Sequence, residues 1–272
     1  MALKALDYFQ RKYPFPGRFW FAVRYIRSIG RLDTVLETMH LLRRGERPPA
    51  TRVRHLELLS NAGLITYYGK LSSLGEEILR YFEERERQVR TLLSHLRTVE
   101  EARSDLIRRG IPFQEKRTKS GVSFDFVRSE VEYIARRLFG ESCYTKDAYI
   151  RIPQLSFVSI RKIDVSIPGP VNPKVVMEIK EYWGEKRGGS KMSNAIYETY
   201  AVARELKDLE KEGIKIWHFV VFDGKKQWET RVSDLGRFVD LLNAGLIDGL
   251  FAGREIWTEF KETLEELSKT AT

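Results

Sequence analysis

Asp164, Glu178 and Lys180 have the types and spacing to do chemistry together. Asp164 is followed by a stretch rich in Pro and Gly, and then by Glu178-Ile179-Lys180 inside an apolar run. Side chains alternate along a strand, so Val176, Glu178 and Lys180 share one face while Met177 and Ile179 share the other. If Asp164 ends the neighbouring strand, its carboxylate sits beside that of Glu178. Adjacent carboxylates repel unless a divalent cation lies between them. A carboxylate pair with a nearby amine suits hydrolysis of a phosphodiester. Magnesium neutralises the phosphate and lowers the pKa of an attacking water. The lysine orients that water or helps to deprotonate it. A salt-bridged pair of strands would put the same residue types there, but the apolar flank argues against an openly solvated face.

These side chains need strands and helices to hold them. Residues 125–140 have helical spacing, with Val127, Val131, Ile134 and Leu138 on one side and Gly140 as a stop. Residues 148–158, 160–167 and 174–183 are strand-like. A long helix is expected over 190–213, begun by Ser190 and ended by Gly213. A buried strand follows at 214–224, then closing helices at 234–245 and 254–267. The order α-β-β-β-α-β predicts an α/β sandwich with a mixed sheet flanked by helices.

Asp164, the thirteen residues after it and Glu178-Ile179-Lys180 together resemble the PD-(D/E)xK nuclease superfamily, and the element order is similar to that superfamily's core. The resemblance implies a restriction-endonuclease-like fold and a magnesium ion held by Asp164, Glu178 and Ile179. Asp164, Glu178 and Lys180 would be catalytic. The chain departs from the pattern in having Ile163 where a proline would precede the acid. Many members add an acid from the preceding helix. That role goes to Glu130, which lies toward the apolar side of its helix, whereas Glu132 lies off it. Downstream, Gly188-Gly189 allows close backbone approach, and Ser190 opens a helix whose free N–H groups can bind phosphate. Lys186, Arg187 and Lys191 add charge there. The passage from Glu178 to Tyr200 looks like the strand-to-helix passage of type II restriction endonucleases, notably those cutting at GATC. The implied activity is magnesium-dependent, site-specific cleavage of double-stranded DNA, and such enzymes usually act as homodimers. A repair or structure-specific nuclease, another defence nuclease, and a DNA-binding regulator with an inactive nuclease-like domain are the alternatives.

The region 1–84 holds three helical segments, a turn at Tyr68-Gly69-Lys70 and a further helix. This order resembles a winged helix, a DNA-binding fold whose third helix enters the major groove. The core face of that helix is expected at Val53, Leu56 and Leu59. Arg52, Arg54 and His55 are expected on its exposed face, toward DNA. Residues 85–109 have the pattern of one long charged helix and 112–122 that of a basic loop carrying Lys116, Arg117 and Lys119. Residues 85–122 would therefore connect the first domain to a nuclease domain at 123–272.

Composition fits a nucleic-acid partner. The chain of 272 residues is 42% apolar and 31% charged, with a net charge of +9 and a pI near 9.5. Cys143 is the single cysteine, which rules out an internal disulfide and suggests a reducing interior. His40, His55, His95 and His218 are scattered without zinc-ligand spacing. No run reaches the length of a membrane span, and the start lacks a signal peptide's apolar core. A cytoplasmic location is expected. Few Asn and Gln beside many charged residues lean toward a hot source.

Overall fold

The structure, a computed structural model, describes residues 6–118, 121–140, 143, 145–184 and 189–270. It divides into two compact units, Tyr8–Arg87 and a larger one made of Met1–Asp7 with Gln88–Thr272. The division falls within a helix. Beyond Arg87 the expected connector 85–122 is part of the larger unit.

In the smaller unit, α1 (Asp7–Lys12), α2 (Arg18–Ser28), α3 (Leu32–Arg43), α4 (Val53–Asn61) and the start of α5 (Ser73–His95) surround an aromatic nucleus. Phe9, Phe19, Trp20 and Tyr81 pack there with ring centroids 5.0–5.5 Å apart. Val35, Met39, Leu59, Leu64 and Ile78 extend the nucleus with fully buried side chains, and burial of this kind stabilises by about 1.5–3 kcal/mol per large side chain. The Tyr68-Gly69-Lys70 turn is closed by Thr66 N–H donating to the Lys70 carbonyl at 2.7 Å and by an Ile65–Leu71 bridge. Gly69 supplies the positive φ of 72° that this reversal requires.

The expected faces of α4 need correcting. Val53 is 51% exposed, not core, while Leu59 is buried. Arg52 is turned inward, donating to Glu37 on α3 at 2.6 Å. A 3₁₀ turn over Ala50–Arg52 precedes the helix and shifts its phase. Arg54 is exposed and His55 half-buried.

The larger unit begins with another correction. The expected helix over 85–109 is broken, because α5 ends at His95 and α6 runs from Val99 to Arg109. Thr98 caps α6 in a reciprocal pair with Glu101. The expected basic loop is in part an antiparallel hairpin of β1 (Glu115–Thr118) and β2 (Gly121–Phe124). Then come α7 (Phe126–Phe139), the antiparallel pair β3 (Ala148–Ile152) and β4 (Phe157–Ile163), and β5 (Val165–Ile167). β6 (Val175–Glu181), α8 (Gly189–Lys211) and β7 (Trp217–Asp223) follow. The chain continues through α9 (Lys225–Glu229), α10 (Val232–Asn243), β8 (Gly249–Ala252) and α11 (Glu259–Thr270).

The central four-stranded sheet is mixed, in the order β5-β6-β7-β8. β5 runs antiparallel to β6, while β6, β7 and β8 are parallel. On one face Val165, Met177, Phe219 and Val221 pack with Val127, Val131 and Ile134 of α7 and with Phe260 and Leu264 of α11, in a core that includes Cys143. On the other face Val176 packs with Val202, Leu206 and Leu209 of α8 and with Ile150, Ile152 and Ile163 of the β3–β4 pair. The protein is thus a mixed α/β structure, and β6 lies between two apolar layers. Among the described residues no helix is long and apolar enough to cross a membrane.

Candidate active site

The antiparallel register aligns Val165 with Met177. One step further along the same ladder, Asp164 is level with Glu178. Asp164 Oδ2 accepts the Ile179 backbone N–H at 2.7 Å, which ties the carboxylate to β6. Its Oδ1 accepts from Arg128 Nη2 at 2.9 Å. Glu178 and Lys180 lie on the same face of β6, with Lys180 Nζ 2.7 Å from Glu178 Oε2. Both are buried, Glu178 at 5% exposure and Lys180 at 7%. The Asp164 side chain is more open, at 24%.

Glu178 has further partners. Thr199 of α8 donates its hydroxyl to Oε2 at 2.9 Å, and His218 Nε2 on β7 lies 2.9 Å from Oε1. A carboxylate only accepts, so Nε2 carries the proton in this pair. Glu198 of α8 stands 3.9 Å from the Lys180 ammonium and 2.7 Å from Arg161. Burial pushes Glu178 toward its neutral form, but the Lys180 charge and the His218 hydrogen bond outweigh it and hold its pKa well below the usual range. Burial likewise disfavours the Lys180 cation, and Glu178 more than offsets it, so its pKa is raised. Asp164 is raised by burial, opposed by the Ile179 amide, Lys180 and Arg128.

The structure brings Asp164, Glu178 and Lys180 together and leaves Glu130 elsewhere. Glu130 is fully buried, as its apolar helix face suggested, but its oxygens have other partners. Arg97 donates to both, at 2.8 and 2.6 Å, and the Trp257 indole N–H donates to Oε1 at 2.7 Å. Arg97 also reaches Asp223 at 2.7 Å, forming a separate buried charge cluster. The α7 residue that touches the trio is Arg128, with Glu132 at 3.9 Å from its guanidinium. Lys116 lines a cleft next to Arg128. Lys119, Lys186 and Arg187 lie outside the described residues, and so do the side chains of Arg117, Ser190 and Lys191. The backbone of Ser190 and Lys191 lies in the first turn of α8.

Arg128, Thr199, Glu198 and His218 were not anticipated as site residues. His218 carries a visible signal, a polar side chain in the apolar run Trp217–Phe222. Thr199 and Glu198 carry none beyond their place on a helix. Glu181, one residue past Lys180, points to the other face and accepts from the Val127 and Arg128 amides at 3.0 and 3.3 Å. It caps α7 from outside the helix, where the helix dipole favours an anion.

Burial pushes the Glu181 pKa up to about 7, against the Trp183 indole and the two α7 amides. The folded state then holds this proton between pH 4.5, the ordinary value, and about 7, while the unfolded state releases it. Stability falls as pH rises through that window. Glu181→Gln cannot release a proton there. Relative to the native protein it is expected to gain up to about 3 kcal/mol between pH 4.5 and 7. Urea unfolding of both proteins at the two pH values measures this, and parallel pH profiles would refute it.

Among the described residues no group of three or more His, Cys, Asp or Glu side chains could hold a metal. Asp164 and Glu178 are two carboxylates, a number with which magnesium is commonly bound, water and phosphate oxygens completing its shell, although both oxygens of Glu178 already have partners here. Arg128 and Lys180 supply the positive charge that offsets these carboxylates in this structure.

A protein family described as a domain of unknown function (DUF7687) matches residues 114–267, and the chain belongs to that family. No curated protein and no solved structure matches the chain.

Proposed function

We propose that the protein is a magnesium-dependent endonuclease of the PD-(D/E)xK kind that cuts double-stranded DNA, acting as a type II restriction enzyme. The observation that carries this reading is the hydrogen bond that ties Asp164, next to the end of the β5–β6 ladder, to β6 at Ile179, with Glu178 and Lys180 together on one face of that strand. The arrangement of α7, the antiparallel β5–β6 pair and α8 leading into parallel β7 supports a restriction-endonuclease-like core. Helices α2 to α4 followed by the Gly69 turn and α5 support a winged helix in the smaller unit. The charge of +9 favours a polyanionic partner.

Asp164 and Glu178 would hold the magnesium ion, which supplies Lewis-acid charge and an acidified water. The Ile179 amide fixes the Asp164 carboxylate. His218 and Thr199 fix that of Glu178. Lys180 stays charged beside Glu178, placed to orient water and stabilise charge on the phosphate. The substrate approaches from the more open Asp164 side. A homodimer would present the two sites that a palindromic cut requires.

The full set of partners around Glu178 favours a second reading, a DNA-binding regulator whose nuclease-like domain is inactive. Incubating the purified protein with unmodified plasmid and magnesium separates the readings. Restriction predicts discrete fragments sharing one short terminal sequence. A smear, or cutting only at branched DNA, would point to a repair-type nuclease. Intact plasmid with every divalent metal would favour the regulator.

A further inference from the structure

Arg128 occupies an unusual place. Its Nη2 is shared between Asp164 at 2.9 Å and Asp147 at 3.0 Å, and its Nη1 donates to the Thr145 carbonyl at 3.1 Å. Its backbone amide is held by Glu181, next to Lys180 on β6. The guanidinium therefore bridges the candidate active site and a neighbouring open cleft of about 690 Å³. Lys116, Lys146, Thr145, Ser129 and Gln114 line this cleft with Arg128. Cations, hydroxyls and an amide suit a phosphate backbone better than an apolar ligand. The Asp125, Glu132 and Asp147 carboxylates on the same walls equal Lys116, Lys146 and Arg128 in number, so a phosphate would be held there by local contact with the cations and not by a net positive charge.

We propose that Arg128 is a resident counter-cation of Asp164 which a divalent ion displaces, and that the released guanidinium then holds a DNA phosphate in the adjoining cleft. The inference rests on the nuclease reading and adds to it a coupling between metal and DNA binding. The physical basis is competition for one oxygen. Oδ1 of Asp164 lies in a charge-assisted hydrogen bond with Arg128, and a metal ligated through that oxygen must replace the bond. Once off Asp164, the guanidinium keeps Asp147 and the Thr145 carbonyl as partners, and its remaining N–H groups, in a planar array that an ammonium lacks, can meet a phosphate. Arg128 is thus a positioning residue for Asp164 in one state and a phosphate ligand in the other. By linkage, each ligand then strengthens the other's binding.

Two titrations on the full chain test this. Mn2+ binding is followed by electron paramagnetic resonance for the native protein, Arg128→Gln and Asp164→Asn. Arg128→Gln is expected to bind Mn2+ roughly tenfold more tightly, about the strength of one hydrogen bond to a charged group. A merely structural role for Arg128 would give equal or weaker binding, and that result would overturn the proposal. Duplex oligonucleotide binding is then followed by fluorescence anisotropy with and without Ca2+. The native protein is expected to gain affinity on adding Ca2+, and Arg128→Gln is expected to lose most of that gain. An equal gain in both would also overturn the coupling. Arg128→Lys keeps the charge and guards against misfolding of the Gln variant, and an intermediate Mn2+ affinity is expected for it. Failure of the underlying reading looks different: Mn2+ binding in the native protein would be absent, or unchanged in Asp164→Asn. Tight native binding lost in Asp164→Asn but unaffected by Arg128→Gln would sink this inference alone.

Discussion

If the protein is the nuclease proposed above, cleavage of duplex DNA is expected to fall by about 10³-fold or more in Asp164→Asn, Glu178→Gln and Lys180→Met, on the scale of lost acid–base or electrostatic catalysis. The variants act on different links of one chain of contacts. Asp164→Asn would weaken the proposed metal pair and remove the Arg128 ion pair, while the side chain can still accept the Ile179 amide. Glu178→Gln keeps the volume and the Thr199 hydrogen bond but removes the charge that holds Lys180. Lys180→Met keeps an apolar stem and leaves Glu178 with His218 and Thr199. Initial rates on plasmid, with circular dichroism to check folding, measure the effect. Glu130→Gln should leave the chemical step largely unchanged, because Glu130 belongs to the Arg97 cluster. Full activity in folded Lys180→Met would remove the trio from the mechanism.

The largest expected effect on stability lies in that second cluster. Arg97 is fully buried, and its guanidinium meets Glu130, Asp223 and, at 3.2 Å, Asp105. Burial opposes its charge, but Glu130 and Asp223 outweigh the penalty and raise its pKa. Asp223 is itself pushed up to about 6 by burial, even with Arg97 as a partner. Arg97→Met would strand Glu130 and Asp223 as buried carboxylates. Breaking a buried pair in this way costs about 3–5 kcal/mol. Urea unfolding should show that loss in Arg97→Met and a partial recovery when Glu130→Gln and Asp223→Asn are added, since neutral side chains tolerate burial better. A loss below about 1 kcal/mol, the scale of an exposed pair, would mean the cluster is not dry.

Periodicity carried much of the core, and partner choice escaped it. β6, α8 and β7 are legible because apolar residues alternate or recur at helical spacing over seven or more positions. β1 is not, because Glu115-Lys116-Arg117-Thr118 has no apolar alternation and its pairing is set by β2. The break between α5 and α6 has no Gly or Pro to mark it. Arg97 looks like one more charge on a solvated helix until tertiary contacts bury it. Glu130 shows the limit most clearly. Its position on the apolar side of α7 indicates burial, yet says nothing of whether a metal, a lysine or Arg97 meets it there. β8 is only four residues long, too short for a period to register.

Gly224 shows how closely the strand ends approach each other. Its φ is 101°, and an added Cβ would lie 2.1 Å from the Tyr182 carbonyl oxygen. The backbone just past β7 is therefore pressed against the backbone just past β6, with room for no side chain between them.

The core of the larger unit also contains Cys143, 5% exposed, its thiol pushed up to about 11 by burial. Alkylating reagents attack only the thiolate of an accessible sulfur. Labelling therefore requires the surrounding core to open. The chain has no other cysteine, so residues 8–87 stay silent in such an assay. Mass spectrometry of a single alkyl adduct over time thus becomes a clock for one unit alone, without an engineered probe.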